Sequence, residues 1–120
     1  MTEEELMEHF NDPLYFGRPQ EYDLEIKGSN VSCGDYLTLF LKYSQDNEHL
    51  ESLFFESDAC SLCTASTSIF LKWINEQNLN LKDIHTLDEE KIFELLGFKP
   101  SMNRIKCCTL CIKTLKAFED

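Results

Sequence analysis

YLTLFLKYSQDNEHLESLFFES, residues 36–57, is the stretch whose reading decides the fold. Leu37, Leu39 and Leu41 recur at every second position, the period that places side chains on one face of an extended strand. The polar run SQDNE, residues 44–48, interrupts the pattern, and HLESLFFES resumes it with residues that favour strands. Upstream, EYDLEIKG at residues 21–28 predicts another strand. Together they predict a small antiparallel sheet, with residues 36–43 its clearest member.

On both sides of this region the period changes. Residues 2–10 predict a short helix with Leu6 and Phe10 on one face. Asn11, Asp12 and Pro13 end it, because the residue before a proline disfavours helix. A long helix is predicted from Ala59 to about Gln77: Leu62, Ala65, Ile69 and Trp73, flanked by Phe70 and Ile74, form an apolar stripe at helical spacing. TLDEE predicts the start of the next helix, with Thr86 and Glu89 at capping-box spacing, and Gly97 predicts its end. A last helix follows Pro100, with Met102, Ile105, Cys108, Ile112, Leu115 and Phe118 three or four residues apart on its buried face. Strands followed by helices predict an α+β sandwich, a small three-stranded antiparallel sheet with helices packed on one face. No repeat, low-complexity tract or long Pro/Gly linker divides the chain, so residues 1–120 are expected to form one domain.

A chain of 120 residues can bury a core without staples. The net charge of −11 is gathered in one half: residues 1–60 hold 14 acidic and 3 basic residues, and residues 61–120 hold 8 of each. Such a surface argues against nucleic acid and anionic lipid as partners, and for solubility or docking to basic protein surfaces. TEEELMEHF is acidic and too short of apolar residues for a signal peptide, and no run reaches the roughly 18 apolar residues of a membrane span. A soluble, cytoplasmic protein is expected. In that compartment six cysteines serve as ligands, nucleophiles or buried apolar side chains rather than as bridges.

Half of those cysteines lie in RIKCCTLC, residues 104–111. Cys108 falls in the apolar stripe between Ile105 and Ile112 and reads as a small core residue. Cys107 lies about 100° round the helix, on an edge shared with Arg104 and Cys111, where Arg104 and Lys106 are expected to ease its deprotonation. Cys60 opens the long helix, whose free N–H groups and dipole favour a thiolate, and Cys63 follows one turn on. The pairs Cys60 with Cys63 and Cys108 with Cys111 leave a structural zinc site open. Against it stands their placement in helices rather than in Gly- or Pro-containing turns. Cys33 sits in SNVSCGDY, where Gly34 permits an unusual backbone angle. Either Cys33 and Asp35 point the same way from a loop, or the stretch is a simple turn with a capping aspartate.

Four motifs stand in order along the chain: H-F-N-D-P-x-x-x-G from His9 to Gly17, C-G-D before a strand, a cysteine opening a helix followed by A-S-x-S, and R-I-K-C on a late helix. Together they resemble the U-type iron–sulfur cluster assembly proteins, the IscU/SufU family, over nearly the whole length. The resemblance implies the family's α+β sandwich. It also implies that Cys33, Asp35, Cys60 and Cys107 converge at one partly exposed edge as the metal site. On that site, by the same resemblance, sulfur arrives as a persulfide from a cysteine desulfurase, and a 2Fe–2S cluster is assembled and handed to recipient apo iron–sulfur proteins. Cys107 is the expected persulfide acceptor, with Arg104 and Lys106 favouring its ionised form and helping to steer the donor's loop.

Three thiolates and one carboxylate suit such a role. Thiolates hold iron or a cluster, while Asp35, a harder and weaker ligand, can yield its position to a recipient's thiolate. The same four groups would bind zinc tetrahedrally, so the ligands do not name the metal. Lys106 in place of the histidine of bacterial IscU, and C-S-L from Cys60, resemble the SufU branch. That branch implies a zinc-bound sulfurtransferase in which Cys107 or Cys60 accepts the sulfur. The insertion that SufU proteins carry between their second and third helices is absent, which points back to the scaffold. KPSMNRIK stands where IscU has the L-P-P-V-K stretch that engages a dedicated Hsp70 chaperone, so that partner is not implied. Ala59 stands where relatives have glycine, and Cys63, Cys108 and Cys111 are additions to the family pattern. His9, His49 and His85 belong to none of its metal motifs.

Overall fold

Alternation along residues 36–43 produces the sheet. In the computed structural model, which describes residues 2–118, three antiparallel strands stand in sequence order: β1 (Leu24–Asn30), β2 (Asp35–Tyr43) and β3 (Leu50–Asp58). Residues 1, 119 and 120, which the single-domain expectation also spans, lie outside the described residues. The register sets Ile26 and Phe55 on either side of Leu39, and Leu24 and Leu53 on either side of Leu41. Leu37, Leu39, Leu41, Leu53 and Phe55 are fully buried, each contributing about 1.5–3 kcal/mol relative to exposure. Asp35 opens β2 in phase with Leu37, Leu39 and Leu41, so the alternation that buries the leucines turns its carboxylate to the same face.

That face is covered by helices. Among the described residues these are α1 (Glu3–Asn11), α2 (Ser61–Glu76), α3 (Glu89–Leu96) and α4 (Met102–Leu115). α2 packs on β3, α4 on β1 and β2, α3 on both α2 and α4, and α1 on α2. The opposite face is not bare. Phe40 points away from the leucines yet is buried, because the Tyr22 ring meets it at 5.0 Å and the Arg18 guanidinium lies 5.0 Å over it. Arg18 is held there by Glu25 at 3.0 Å. The chain between α1 and β1 also guards the outer edge of β3: the Gly17 N–H donates to the Phe55 carbonyl at 2.7 Å, and the Phe55 N–H to the Tyr15 carbonyl at 2.9 Å.

Local chemistry sets most helix ends as expected. Thr2 caps α1 by accepting from the Glu5 N–H, and Glu3, Glu4 and Glu5 face the positive end of its dipole. Gly97 ends α3 at φ +81°. The start of α3 differs. Asp88, not Thr86, is its cap, accepting from the Glu90 N–H at 3.1 Å, while Thr86 closes a 3-10 turn over Leu81–Thr86 and donates to the Asp83 carbonyl at 2.6 Å. An ionised carboxylate is the stronger acceptor, and the preceding turn has already engaged the threonine hydroxyl.

α4 departs from the single apolar stripe. Cys107, Cys108, Thr109, Leu110, Cys111 and Ile112 are buried in succession, because α2, α3, β1 and β2 all press on the helix. Met102, expected on the buried face, is 88% exposed, since the first turn precedes this enclosed stretch. Gly28 makes the enclosure possible: a Cβ there would stand 2.9 Å from the Thr114 Cβ, so α4 approaches β1 more closely than a side chain allows. No helix among the described residues is long and apolar enough to cross a membrane.

Candidate metal centre

The link between β1 and β2 carries the first thiol. Val31–Cys33 form one 3-10 turn, and Gly34 at φ +71° swings the chain into β2, its N–H donating to the Val31 carbonyl at 3.1 Å. Only glycine adopts this conformation without strain. Cys33 is left exposed and Asp35 is fully buried. Asp35 is no turn cap. Its Oδ1 accepts from the Cys60 N–H at 2.9 Å, across 25 positions of sequence, and its Oδ2 is buried with no hydrogen-bond partner in the protein.

Cys60 is the N-cap of α2, its Sγ accepting from the Cys63 N–H at 3.4 Å. A thiol thus does the work usually given to serine or aspartate. α4 brings Cys107 against this corner: its Sγ, the Cys33 Sγ and an Asp35 carboxylate oxygen all lie within 4.8 Å of one another. Cys60 adjoins this triad through its N–H on Asp35, and Cys60 and Asp35 are both electrostatic neighbours of the Cys107 thiol. Cys33, Asp35 and Cys107 come together with Cys60 beside them; Cys33 is exposed, Cys60 half-buried and Cys107 only 3% exposed.

The electrostatics reverse one expectation. Burial pushes the Cys107 thiol well above its ordinary value, and the neighbouring Cys60 and Asp35 push it further in the same direction. Arg104 and Lys106 are exposed on α4, and the Arg104 charge lowers the neighbouring Cys108 thiol against the effect of its burial. Burial also raises Cys63 and Cys108, and Cys111 to about 12. Cys108 is a packing residue, as its place in the stripe predicts. Cys111 joins it in the core rather than at an edge.

Among the described residues, two groups could share an ion: Cys33, Asp35 and Cys107, and the exposed set Asp46, Glu48 and His49. The pairs Cys60 with Cys63 and Cys108 with Cys111 form no such group. The exposed set belongs to the turn between β2 and β3, where Asp46 accepts from the Glu48 N–H at 2.9 Å and faces His49 at 3.6 Å. At this corner two thiols, Cys33 and Cys107, lie within 4.8 Å of a carboxylate whose Oδ2 has no hydrogen-bond partner, and Cys60 adjoins it. Soft and hard donors of this kind fit zinc or thiolate-held iron.

Ser68 was not marked as functional by spacing. Its buried hydroxyl accepts from the Leu14 N–H at 2.8 Å and shares a hydrogen bond with His9 Nδ1 at 2.8 Å. This one group fastens the H-F-N-D-P segment to the A-S-x-S turn of α2. Burial, then the Lys72 charge, hold the His9 pKa below its ordinary value of 6.5.

A model of the NifU-like N terminal domain matches residues 1–118. The iron-sulfur cluster assembly scaffold protein IscU of Thermotoga maritima is 27% identical over 130 residues, covering 97% of this chain and 90% of that protein. The zinc-dependent sulfurtransferase SufU of Bacillus subtilis is 29% identical over 131 residues, covering 92% and 84% respectively. Among solved structures, FiSufU of Fervidobacterium islandicum superposes with a TM-score of 0.76 at 22% identity, covering 97% of this chain and 94% of that one. The N-terminal part of a NifU-like protein of Brucella abortus gives 0.70 at 15% identity, covering 94% and 88%. These two likenesses show the fold.

Proposed function

The chain belongs to the NifU-like N terminal domain family, and from that membership we propose that it is an iron–sulfur cluster assembly scaffold. It receives sulfur from a cysteine desulfurase, assembles a 2Fe–2S cluster on Cys33, Asp35, Cys60 and Cys107, and passes it to apoproteins. The observation that carries the reading is Asp35, which is buried with its Oδ2 unpartnered and has a carboxylate oxygen within 4.8 Å of two thiols. An oxygen left without a partner at such a place costs about 1–3 kcal/mol, a cost that a metal cargo would offset.

Exposure orders the sulfur steps. Cys33 is the thiol an incoming donor can reach, and Cys107, the acceptor expected from sequence, is buried behind it. The Cys33 thiolate attacks the outer sulfur of the donor persulfide, the donor's own sulfur leaves as a thiolate, and Cys33 carries the persulfide. The same exchange passes the outer sulfur to Cys107, whose Sγ is within 4.8 Å. Iron, and electrons to reduce this sulfur to sulfide, come from outside the chain. Arg104 and Lys106, exposed on α4, are placed to meet an acidic partner surface.

A second reading is a zinc-bound sulfurtransferase. It is favoured by Arg104-Ile105-Lys106-Cys107 and by the 29% identity to SufU. Zinc, held by the same four residues, would supply positive charge that stabilises their thiolates. Anaerobic purification with iron, zinc, acid-labile sulfide and visible absorption measured together separates the two. Iron with equimolar sulfide supports the scaffold; one tight zinc without labile sulfide overturns it in favour of the transferase.

A further inference from the structure

The last rung of the ladder between β1 and β2 sets Asn30 directly opposite Asp35. Opposed residues of an antiparallel pair share a face, with Cβ atoms about 4.5–5.5 Å apart. Here it is the covered face: Asp35 is fully buried on it, and Gly28, two positions before Asn30, meets α4 there. The Ser32 hydroxyl donates to Asn30 Oδ1 at 3.0 Å, so the other end of the amide carries the free donor. That donor, Nδ2, is buried without an acceptor, and Asp35 Oδ2 is buried without a donor. Of the three buried side-chain nitrogen and oxygen atoms left without a partner among the described residues, two thus stand on opposed residues and complement each other. Both side chains are short, and Asp35 Oδ1 is anchored on the Cys60 N–H at 2.9 Å. Rotation about side-chain bonds is enough to join Oδ2 to Nδ2, with no movement of the strands.

We propose that Asn30 is a positioning residue of the metal centre, its side-chain amide receiving the Asp35 carboxylate when that carboxylate leaves the cargo. This rests on the metal site proposed above. In the loaded state a carboxylate oxygen serves the metal beside the Cys33 and Cys107 thiols, within 4.8 Å of both. In the unloaded state Oδ2 accepts from Asn30 Nδ2. One metal–oxygen bond is exchanged for one N–H···O hydrogen bond; no proton moves, and nothing is oxidised or reduced. The waiting amide weakens the hold of the carboxylate alone, so a recipient's thiolate finds one place at the metal easier to take than the other three.

Zinc alone is the probe, added in competition with a chelator to reduced, metal-free protein under anaerobic conditions. A hydrogen bond to a charged group shifts an equilibrium by about tenfold or more. Asn30→Leu, close to asparagine in shape but without a donor, should therefore bind zinc about tenfold more tightly than wild type, where a merely damaged corner would bind it more weakly. Asn30→Ala gives the same reading if the leucine variant does not fold. In an Asp35→Ala background the same substitutions should leave the affinity unchanged, because no carboxylate remains to be received. Unchanged or weaker binding by the Asn30 variants, or a gain that persists without Asp35, overturns the role of Asn30 and leaves the site standing. Zinc affinity indifferent to both Cys33→Ser and Cys107→Ser overturns the site itself, and the role of Asn30 with it.

Discussion

Gly28→Ala is expected to damage both stability and the metal centre, through one contact. A Cβ at Gly28 would overlap Thr114 Oγ1 outright and stand 2.9 Å from Thr114 Cβ and 3.0 Å from its Cγ2, where ordinary contact begins at 3.4 Å. The threonine cannot swing aside freely, since its hydroxyl donates to the Leu110 carbonyl at 2.7 Å. β1 cannot retreat either, because Gly28 is paired with Leu37 in the sheet. α4 must lift by about half an ångström at least. Overpacking of this kind costs about 1–3 kcal/mol, and replacing a strand glycine returns about 0.5–1, leaving a net loss on the order of 1–2 kcal/mol. Cys107 sits two turns before Thr114 on the same side of α4, about 10 Å along the axis, so the lift carries its thiol away from Cys33 and Asp35. Urea unfolding of the reduced, metal-free protein measures the first effect, and competition for zinc against a chelator measures the second. Thr114→Ala in the Gly28→Ala background removes the hydroxyl and Cγ2 and should recover half or more of the stability. A neutral Gly28→Ala, or a loss that Thr114→Ala does not relieve, would refute the reasoning.

Cys108→Ala should cost about 1 kcal/mol of stability and leave metal content unchanged; metal lost from a folded variant would mean that the wrong member of the Cys107, Cys108 pair has been assigned to the site. Asp35→Ala should hold a reconstituted cluster longer than wild type and deliver it more slowly to an apo-ferredoxin, followed by the decay of cluster absorption under anaerobic conditions; faster decay would remove Asp35 from the role of exchangeable ligand. His9 is a depressed base, so its contribution to stability is fully present above its ordinary 6.5 and is lost as pH falls through its lower folded value. Thermal midpoints of wild type and His9→Gln, measured across this range, should therefore converge as the solution is acidified, and a constant gap would rule the linkage out.

The sheet was legible because Leu37, Leu39 and Leu41 obey a two-residue period that no helix shares. Asp35 continues the same period, so its burial is written in the strand, but the turn-forming Gly34 just before it masks where the strand begins. The ligand set was carried by resemblance, since spacing along the chain says nothing of which elements meet in space. What stayed hidden depended on contacts from several sides at once. Cys107 lies beside Arg104 and Lys106 in sequence, yet its electrostatic neighbours are Cys60 and Asp35, which arrive from other elements. Met102 fits the apolar spacing of α4 but falls before the stretch the other layers enclose. Ser68 gained its partners only when α1 folded back on α2.

The cap of α2 is a thiol, its amide is held by the first residue of β2, and its neighbour Cys107 belongs to α4. An ion bound at this corner would act as a cross-link between sheet and helices, closing long loops much as a disulfide does. At a hundredfold excess over its dissociation constant, a ligand that binds only the folded chain adds about 2.7 kcal/mol to stability. That is comparable to burying a large apolar side chain, and it is added or withdrawn with each loading. Occupancy of the centre would then be readable as a melting temperature, and a recipient that draws off the cargo would also unclasp the sheet and helices that presented it.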